Sequence, residues 1–506
     1  MIHLPYLSTL IWLPILGAIV VLFLGGDKNA HLSRMVALGI AIISLLICCL
    51  LWADFSYTNA GYQFQENVSW IPAYGINYAL GVDGISMPMV ILSTITTLVV
   101  VLASWHSIKR HVAQYLATFL VMQGMMVGVF SAVDSILFYV FWEAMLIPIY
   151  LNIGIWGGDN RVYASVKFFI YTFAGSALML VAILYLRVHA HSFMIPDFYA
   201  LRLTRPVQDL IFIAFLLAFA VKVPMWPVHT WLPDAHTEAP AGGSVVLAAL
   251  MLKLGIYGFL RFNLPITPDT GQAIIWGMIV LALIAIVYIG IIAIMQKDMK
   301  RLIAYSSISH MGFAVLGTFM VYIIVAKTGN MKDAYLSLEG AMIQMISHAF
   351  STGALFIGIG ILYDRIHSRM IHDYGGVAHK LPVFAALMMV FALSNVGLPG
   401  TSGFVGEFMI ILSAFKASFW VAFLAASTLI LGAAYTLWMY KRVFFGKITS
   451  EKIENIEPLH FPELLALFIL AAIVIVMGVY PLPVLDIFHA SVGQILHESL
   501  MSKIPV

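Results

Sequence analysis

Six ionisable side chains lie deep in apolar segments. Glu143 sits in Phe141-Trp142-Glu143-Ala144-Met145, Lys222 in Phe219-Ala220-Val221-Lys222-Val223-Pro224, and Lys253 in Leu250-Met251-Leu252-Lys253-Leu254-Gly255. His310 follows Ser306, Ser307 and Ser309, and His348 follows Gln344 and Ser347. Glu407 comes just after the run Gly397-Leu398-Pro399-Gly400-Thr401-Ser402-Gly403. Carboxylate, ammonium and imidazole are the groups that take up and release protons. Burial disfavours the charged form of an acid or an amine, and an opposite charge nearby favours it. A buried acid and a buried base on neighbouring helices therefore control how tightly each holds its proton. The plainer use of the same residues is as structural ion pairs and hydrogen-bonded packing histidines. Six sites favour a proton relay, because each charge at a bilayer centre costs at least ~2.5–3.5 kcal/mol on insertion scales. Such a relay should form one polar file at similar membrane depth. Tyr435 and the serines before His310 either lengthen it or bond neighbouring helices together.

The elements that position these groups must live in lipid. Of 506 residues, 62% are hydrophobic and only 10% are charged, against roughly 25% charged in a soluble domain. Mean hydropathy is +0.98. Lipid permits helices or closed barrels, and the apolar runs are continuous rather than alternating, which selects helices. The reading is an all-α polytopic membrane protein with no convincing strands. A net charge of +2 leaves no nucleic-acid footprint. The only cysteines, Cys48 and Cys49, adjoin inside an apolar run and read as packing. No four-cysteine set and no glycine-rich dinucleotide loop is present, so this chain should hold no cofactor and any redox chemistry must lie elsewhere. His189 and His191 form a His-x-His pair without a further evident metal ligand, and no metal is expected.

A window of roughly 20 residues finds about fourteen transmembrane helices, near 6–25, 32–53, 80–104, 113–132, 134–155, 162–187, 207–223, 242–261, 272–295, 301–324, 336–362, 382–415, 420–444 and 463–485. The first is too long and too weakly preceded by positive charge for a cleaved signal peptide. Helices seven and twelve should break, at Pro224 and Pro227 and at Gly397–Gly403, since proline lacks a backbone donor and glycine loosens the chain. Lys and Arg are about twice as frequent in loops after odd-numbered helices, counting Lys300 there and Arg261 among the others. That face should be cytoplasmic, with both termini on the opposite side. Asp159-Asn160-Arg161-Val162-Tyr163-Ala164-Ser165 is faintly echoed by Asp298-Met299-Lys300-Arg301-Leu302-Ile303-Ala304-Tyr305-Ser306, and each precedes a broken helix, the first by one span and the second by two. This suggests two inverted five-helix repeats, the transporter pattern. The expected domains are 1–112 (helices 1–3), 113–262 (first repeat), 263–446 (inverted second repeat) and 447–506 (helix 14).

The stretch from Phe219 to Pro240, with Pro224-Met225-Trp226-Pro227-Val228-His229-Thr230-Trp231-Leu232-Pro233-Asp234-Ala235-His236-Thr237-Glu238-Ala239-Pro240 at its heart, resembles the signature of the antiporter-like subunits of respiratory complex I. Gly242-Gly243-Ser244-Val245 and Leu252-Lys253-Leu254-Gly255 fit as well. The resemblance covers essentially the whole chain. It implies that Glu143 is the acid of the fifth helix, Lys222 the central lysine of the seventh, Lys253 the connecting lysine of the eighth and Glu407 the terminal acid. His310 and His348 match polar groups of a central hydrophilic axis. Glutamate at 407 is similar to one branch of these subunits, where the sister pumping subunits place lysine. The resemblance further implies a proton-translocating subunit of NADH:quinone oxidoreductase in a bacterial inner membrane. Sister antiporter-like subunits would lie on either side, with NADH, FMN, iron–sulfur clusters and quinone held by partner subunits. A lateral helix of the longest sister is not expected here. The alternatives are a large subunit of a multisubunit Na+/H+ antiporter, a hydrogenase-linked ion pump, or a structural scaffold, which the charged axis argues against.

Overall fold

A continuous apolar run in lipid can satisfy its own backbone only as a helix, and helices dominate this computed structural model, which describes residues 5–25 and 27–505. Residues 1–4, 26 and 506 lie outside the described residues, and with them the extreme ends of the first and last expected domains. The helices before the first break are α1 (Tyr6–Phe23), α2 (Ala30–Ala53), α3 (Ser86–Ala103), α4 (Val112–Ser131), α5 (Ser135–Ala144), α6 (Leu146–Trp156) and α7 (Arg161–Ala190). There follow α8 (Arg205–Lys222), α9 (Trp231–Glu238), α10 (Ala241–Ile266), α11 (Gln272–Ile294), α12 (Met299–Thr328) and α13 (Met331–Ile366). The last are α14 (Pro382–Val396), α15 (Ser402–Ala417), α16 (Phe419–Phe444), α17 (Phe461–Val479) and α18 (Leu482–Leu500). Among the described residues twelve spans are long and apolar enough to cross a membrane, counting α5 and α6 as one. The expected seventh and twelfth are instead split pairs, α8 with α9 and α14 with α15.

Both splits have a backbone cause. Pro224 cannot donate to the Ala220 carbonyl, which accepts from Met225 N at 2.8 Å, while the Trp231 indole donates to the Val221 carbonyl at 2.9 Å. At the second split Gly397 takes φ of 78°, a left-handed conformation that suits glycine. Gly397 N then donates to Ser394 O at 3.1 Å and Leu398 N to Leu393 O at 3.0 Å, which closes α14 in a Schellman motif. A third break was not expected. Pro148 has no N–H for the Ala144 carbonyl, and the fifth span divides at Met145, two residues after Glu143.

Three readings of the sequence need correction. The reading of no strands fails at a hairpin of β1 (Gln63–Ile71) and β2 (Ile76–Val82), antiparallel, with Val68 opposite Tyr78. Its polar residues break the alternation that announces a strand, but it has work to do. Glu66 accepts from Leu7 N at 2.9 Å and Ser8 N at 3.2 Å, covering free donors at the start of α1. The expected third span thus begins as strand and becomes helix only at Ser86. The last expected span, 463–485, stops at Val479. Pro481 and Pro483 cannot continue a helix but suit the first turn of a new one, and α18 folds back against α3, α10 and α13. Arg261 and Lys300, counted as loop cations, are 2% and 4% exposed inside α10 and α12. The most apolar stretches of α10 and α13 are fully buried and that of α12 nearly so, whereas α1, α2, α7 and α16 keep most of theirs on the outside. Lys253, His310 and His348 all sit on those inner helices.

Candidate functional site

The break after α8 leaves Lys222 at the helix end, 1% exposed, with its ammonium 5.0 Å from the centre of the Trp142 ring. That ammonium has no hydrogen-bond partner among the described residues, and one buried oxygen of Glu143 has none either. The two groups are therefore not bonded to each other, although the Lys222 charge acts on the Glu143 carboxyl. Glu143 is one residue beyond Trp142, so the α5–α6 break sets both the ring that carries Lys222 and the acid that faces it. Gly255 of α10 packs against the break after α8, where a Cβ would lie 2.6 Å from the Phe219 carbonyl oxygen.

Around the second break the groups touch. The Lys253 ammonium, 0% exposed, bonds the Ala248 carbonyl at 2.5 Å and lies 2.7 Å from His348 Nδ1. The His348 and His310 rings are 5.9 Å apart between centres. His310 Nδ1 is 2.7 Å from Glu407 Oε1, which also accepts from Gln344 Nε2 at 3.2 Å. Helix packing fixes this distance. Gly406 lies so close to the Gln344 backbone that a Cβ would come within 2.7 Å of Gln344 N, and Gly403 admits the Ser394 carbonyl in the same way. Serines line the seam: Ser347 donates to Ser402 Oγ at 2.8 Å, and Ser351 and Ser394 share a bond of 2.6 Å. On the far side of His310, Tyr435 OH lies 3.5 Å from His310 Nε2 and accepts from Ser306 at 3.0 Å. A small cavity of about 10 Å³ lies between His310, His348, Ser351, Asn395 and Glu407.

The six sequence-selected residues thus fall into two groups. Lys253, His348, His310 and Glu407 form one row, with Tyr435 and Ser306 attached. Glu143 and Lys222 form a second group that no direct hydrogen bond joins to the row. None of the six points freely into lipid: five are at most 4% exposed and Glu143 is half-buried. Sequence reading missed His236, 0% exposed, with neither ring nitrogen bonded to a protein group among the described residues. It also missed Lys300, whose ammonium bonds the Ala239 carbonyl at 2.7 Å. Both lie in or beside quoted motifs, and the signal was a polar residue on a helix with no exposed face. Among the described residues no three His, Cys, Asp or Glu side chains converge on a metal position. His189 Nδ1 lies 3.0 Å from the Tyr185 carbonyl in its own helix.

Residues 132–432 match the family described as NADH:quinone oxidoreductase/Mrp antiporter, TM, and residues 65–131 match NADH-ubiquinone oxidoreductase chain 4, amino terminus. The chain is 44% identical to the NADH-quinone oxidoreductase subunit M of Rhodobacter capsulatus over 97% of this chain and 96% of that one. Among solved structures it resembles a chain of respiratory complex I from Thermus thermophilus with bound NADH, at TM-score 0.84 and 30% identity, covering 97% of this chain and 99% of that one. It also resembles a chain of the membrane-bound sulfane sulfur reductase, an archaeal respiratory membrane complex, at TM-score 0.79 and 26% identity, covering 95% of this chain and 76% of that one.

Proposed function

This chain belongs to the NADH:quinone oxidoreductase/Mrp antiporter family, in its subunit M (chain 4) branch, and from that premise we infer that it carries protons across the membrane as a subunit of an NADH:quinone oxidoreductase. The observation that carries the inference is the row from Lys253 through His348 and His310 to Glu407, buried on the inner helices and built from groups that exchange protons. Lys222 is the switching carrier in this reading. It has a ring beneath it and no bonded acid, so the charge state of Glu143 alters how tightly it holds its proton. Lys253, His348 and His310 pass the proton on, through waters where no side chain reaches, and Glu407 is the terminal acid.

The redox work belongs to partner subunits that hold NADH, FMN, iron–sulfur clusters and quinone. Sister antiporter-like subunits flank this one in a bacterial inner membrane, with both termini on the non-cytoplasmic side. Residues 113–262 and 263–446 form the inverted repeats, and the two breaks, beside Lys222 and before Glu407, are their equivalent points. A multisubunit Na+/H+ antiporter or a hydrogenase-linked pump would use a similar membrane chain. Co-purifying subunits without a quinone site would favour those readings.

The test uses the assembled complex in sealed membranes, with proton movement followed against electron transfer to quinone. Lys222→Ala and Glu143→Gln should each cut pumping by at least about tenfold, while the amount of assembled complex stays normal; a tenfold loss corresponds to about 1.4 kcal/mol at the barrier. Glu143→Asp should retain more than Glu143→Gln, because charge matters more than shape. A normal proton-to-electron ratio in Glu143→Gln membranes would refute the assignment.

A further inference from the structure

Glu143 has a buried oxygen with no hydrogen-bond partner among the described residues, and the Lys222 ammonium stands off without bonding it. An unmet buried acceptor in a folded protein has a cause, and here a donor stands beside it. Helix α7 touches α5 and packs along α8. Its buried stripe carries three hydroxyls, on Ser165, Thr172 and Ser176. Gly175 brings α7 close to the end of α8, where an added Cβ would lie 3.1 Å from Val221 Cγ2 and 3.3 Å from the Leu217 carbonyl oxygen. Val221 adjoins Lys222. Ser176, the residue after Gly175, is 0% exposed and lies within hydrogen-bonding reach of the Glu143 carboxyl.

The Ser176 hydroxyl is turned to its own helix instead. It donates to the Thr172 carbonyl at 3.0 Å and the Phe173 carbonyl at 2.9 Å. A hydroxyl has one hydrogen and two lone pairs, so a hydrogen closed on the backbone does not serve Glu143. Inside a continuous helix each of those carbonyls already takes the backbone N–H one turn on. A serine bond of this kind adds nothing the helix needs and slightly disturbs it. The carboxylate is the needier acceptor, because a hydrogen bond to an ionised oxygen is roughly twice as strong as a neutral one. One hydrogen therefore has two claimants, and the charge on Glu143 decides between them.

We propose that Ser176 is a positioning residue for the Glu143–Lys222 pair, its hydroxyl turning between the α7 backbone and the Glu143 carboxylate. With Glu143 charged, the hydroxyl donates to it and holds it in place facing Lys222. With Glu143 protonated, the hydroxyl returns to the Thr172 carbonyl, its oxygen accepts the O–H of the acid, and the acid no longer draws on the ammonium. No covalent bond changes at Ser176. This rests on the relay reading and adds the group that registers the charge state of Glu143. Thr172, one turn earlier, makes the same kind of backbone bond, to Phe168 O at 2.8 Å and Phe169 O at 3.2 Å, and is the control within the same helix.

The experiment follows proton movement against electron transfer in the assembled complex, in sealed membranes, for Ser176→Ala, Ser176→Thr and Thr172→Val. Alanine is a better helix former than serine, so Ser176→Ala should assemble at least as well as the parent. It should nevertheless pump about fivefold more slowly, which is about 1 kcal/mol at the barrier. Ser176→Thr keeps the hydroxyl and should stay within about twofold of the parent, as should Thr172→Val. Glu143→Asp withdraws the carboxylate by one methylene, so adding Ser176→Ala to it should cost less than about twofold more; two residues that act through one contact are not additive. A hydroxyl that served only its own helix would give normal pumping in Ser176→Ala, and that result overturns the proposal while leaving the relay standing. So does an equal loss in Thr172→Val, an assembled Ser176→Thr that pumps no better than Ser176→Ala, or a full fivefold loss on top of Glu143→Asp. Should Ser176→Thr fail to assemble, the Glu143→Asp comparison decides. If Lys222→Ala keeps full pumping, the relay reading itself fails, whatever the Ser176 variants do.

Discussion

Two buried cations in this molecule are held in opposite ways. Arg261, near the end of α10, is clamped. Its guanidinium bonds Asp83 with both terminal nitrogens, one at 2.6 Å, and reaches Ser86 Oγ at 2.9 Å. The Tyr62 and Tyr257 rings lie 5.3 and 5.1 Å away, and Asp83 also accepts from Ile85 N and Ser86 N at 3.0 Å at the start of α3. Lys222 has a ring at 5.0 Å and, among the described residues, nothing bonded. Exposure is much the same for both, about one part in fifty or less. A fork of fixed donors matched to a carboxylate holds one geometry and one charge state. A lone ammonium is a point charge whose protonation its surroundings can alter. The structural ion pair that the sequence offered as the plain explanation does exist, but it joins α10 to the start of α3 and contains none of the six residues.

The largest effect should come from breaking the clamp. Arg261→Ala leaves Asp83 buried and unpaired, which typically costs about 3–5 kcal/mol. The chain should be scarce in membranes and the assembled complex should melt early on heating. Replacing both residues, Arg261→Met with Asp83→Leu, should recover part of the loss but not all, because Asp83 also serves the start of α3. If Lys222→Ala damages assembly as badly as Arg261→Ala, the distinction between the two cations collapses.

A smaller effect is expected at Glu407, which resembles Arg261 in being bonded and Lys222 in its proposed work. Gln344→Leu removes the amide that donates to Glu407 Oε1. A hydrogen bond to a charged group contributes about 1.5–3 kcal/mol, so pumping should slow roughly tenfold with modest loss of assembly. Smaller again is Trp142→Leu. A cation over an aromatic face gains about 0.5–2 kcal/mol, and its loss should slow pumping a few-fold at unchanged assembly. A Trp142→Leu complex that assembles poorly but pumps normally per molecule would make that ring a packing residue only.

The sequence announced the Lys222 side of the comparison and hid the other. A lysine before two prolines in an apolar run is visible because its neighbours are the wrong solvent for it. Asp83 and Arg261 are 178 residues apart, and each stands near the end of an expected span, where a charge looks like an ordinary loop residue. Only the fold pairs them. The two expected breaks were legible because proline and glycine act on their own backbone. The break at Met145 follows the same rule, but Pro148 in a run of large apolar residues reads as a tolerated kink. The hairpin was hidden by Gln65, Glu66 and Asn67, and the place of Glu66 is set by the start of α1. His236 was not legible, since nothing in the sequence shows that a lone histidine ends buried against Phe356 of α13.

The smallest effect lies at the water's edge and asks whether a clamp still works where solvent reaches it. Asp269, in the loop before α11, accepts from Lys503 N at 2.7 Å and Gln208 Nε2 at 3.1 Å, which ties the segment after α18 to the bundle. Partial burial raises its pKa, but the Lys503 and Gln208 bonds outweigh that, and the net shift is below the ordinary carboxylate value. A depressed folded pKa means that the carboxylate stabilises the docked segment at every pH above its unfolded value, near 3.9, and that this support is lost as the pH falls through the lower folded value. Because the carboxylate is only partly buried, the contribution should be no more than about 1 kcal/mol. Hydrogen exchange at residues 501–505, corrected for intrinsic rates, should be constant from pH 8 to about pH 5 and quicken below about pH 4. Asp269→Asn should remove that acid step and quicken exchange modestly at neutral pH. If the step persists in Asp269→Asn, another acid holds the segment. The nearest candidate is Glu498, 3.0 Å from the Lys503 ammonium. Glu498→Gln would then remove the step, and the edge of the molecule would be held by an ordinary ion pair instead of by a carboxylate bonded to backbone.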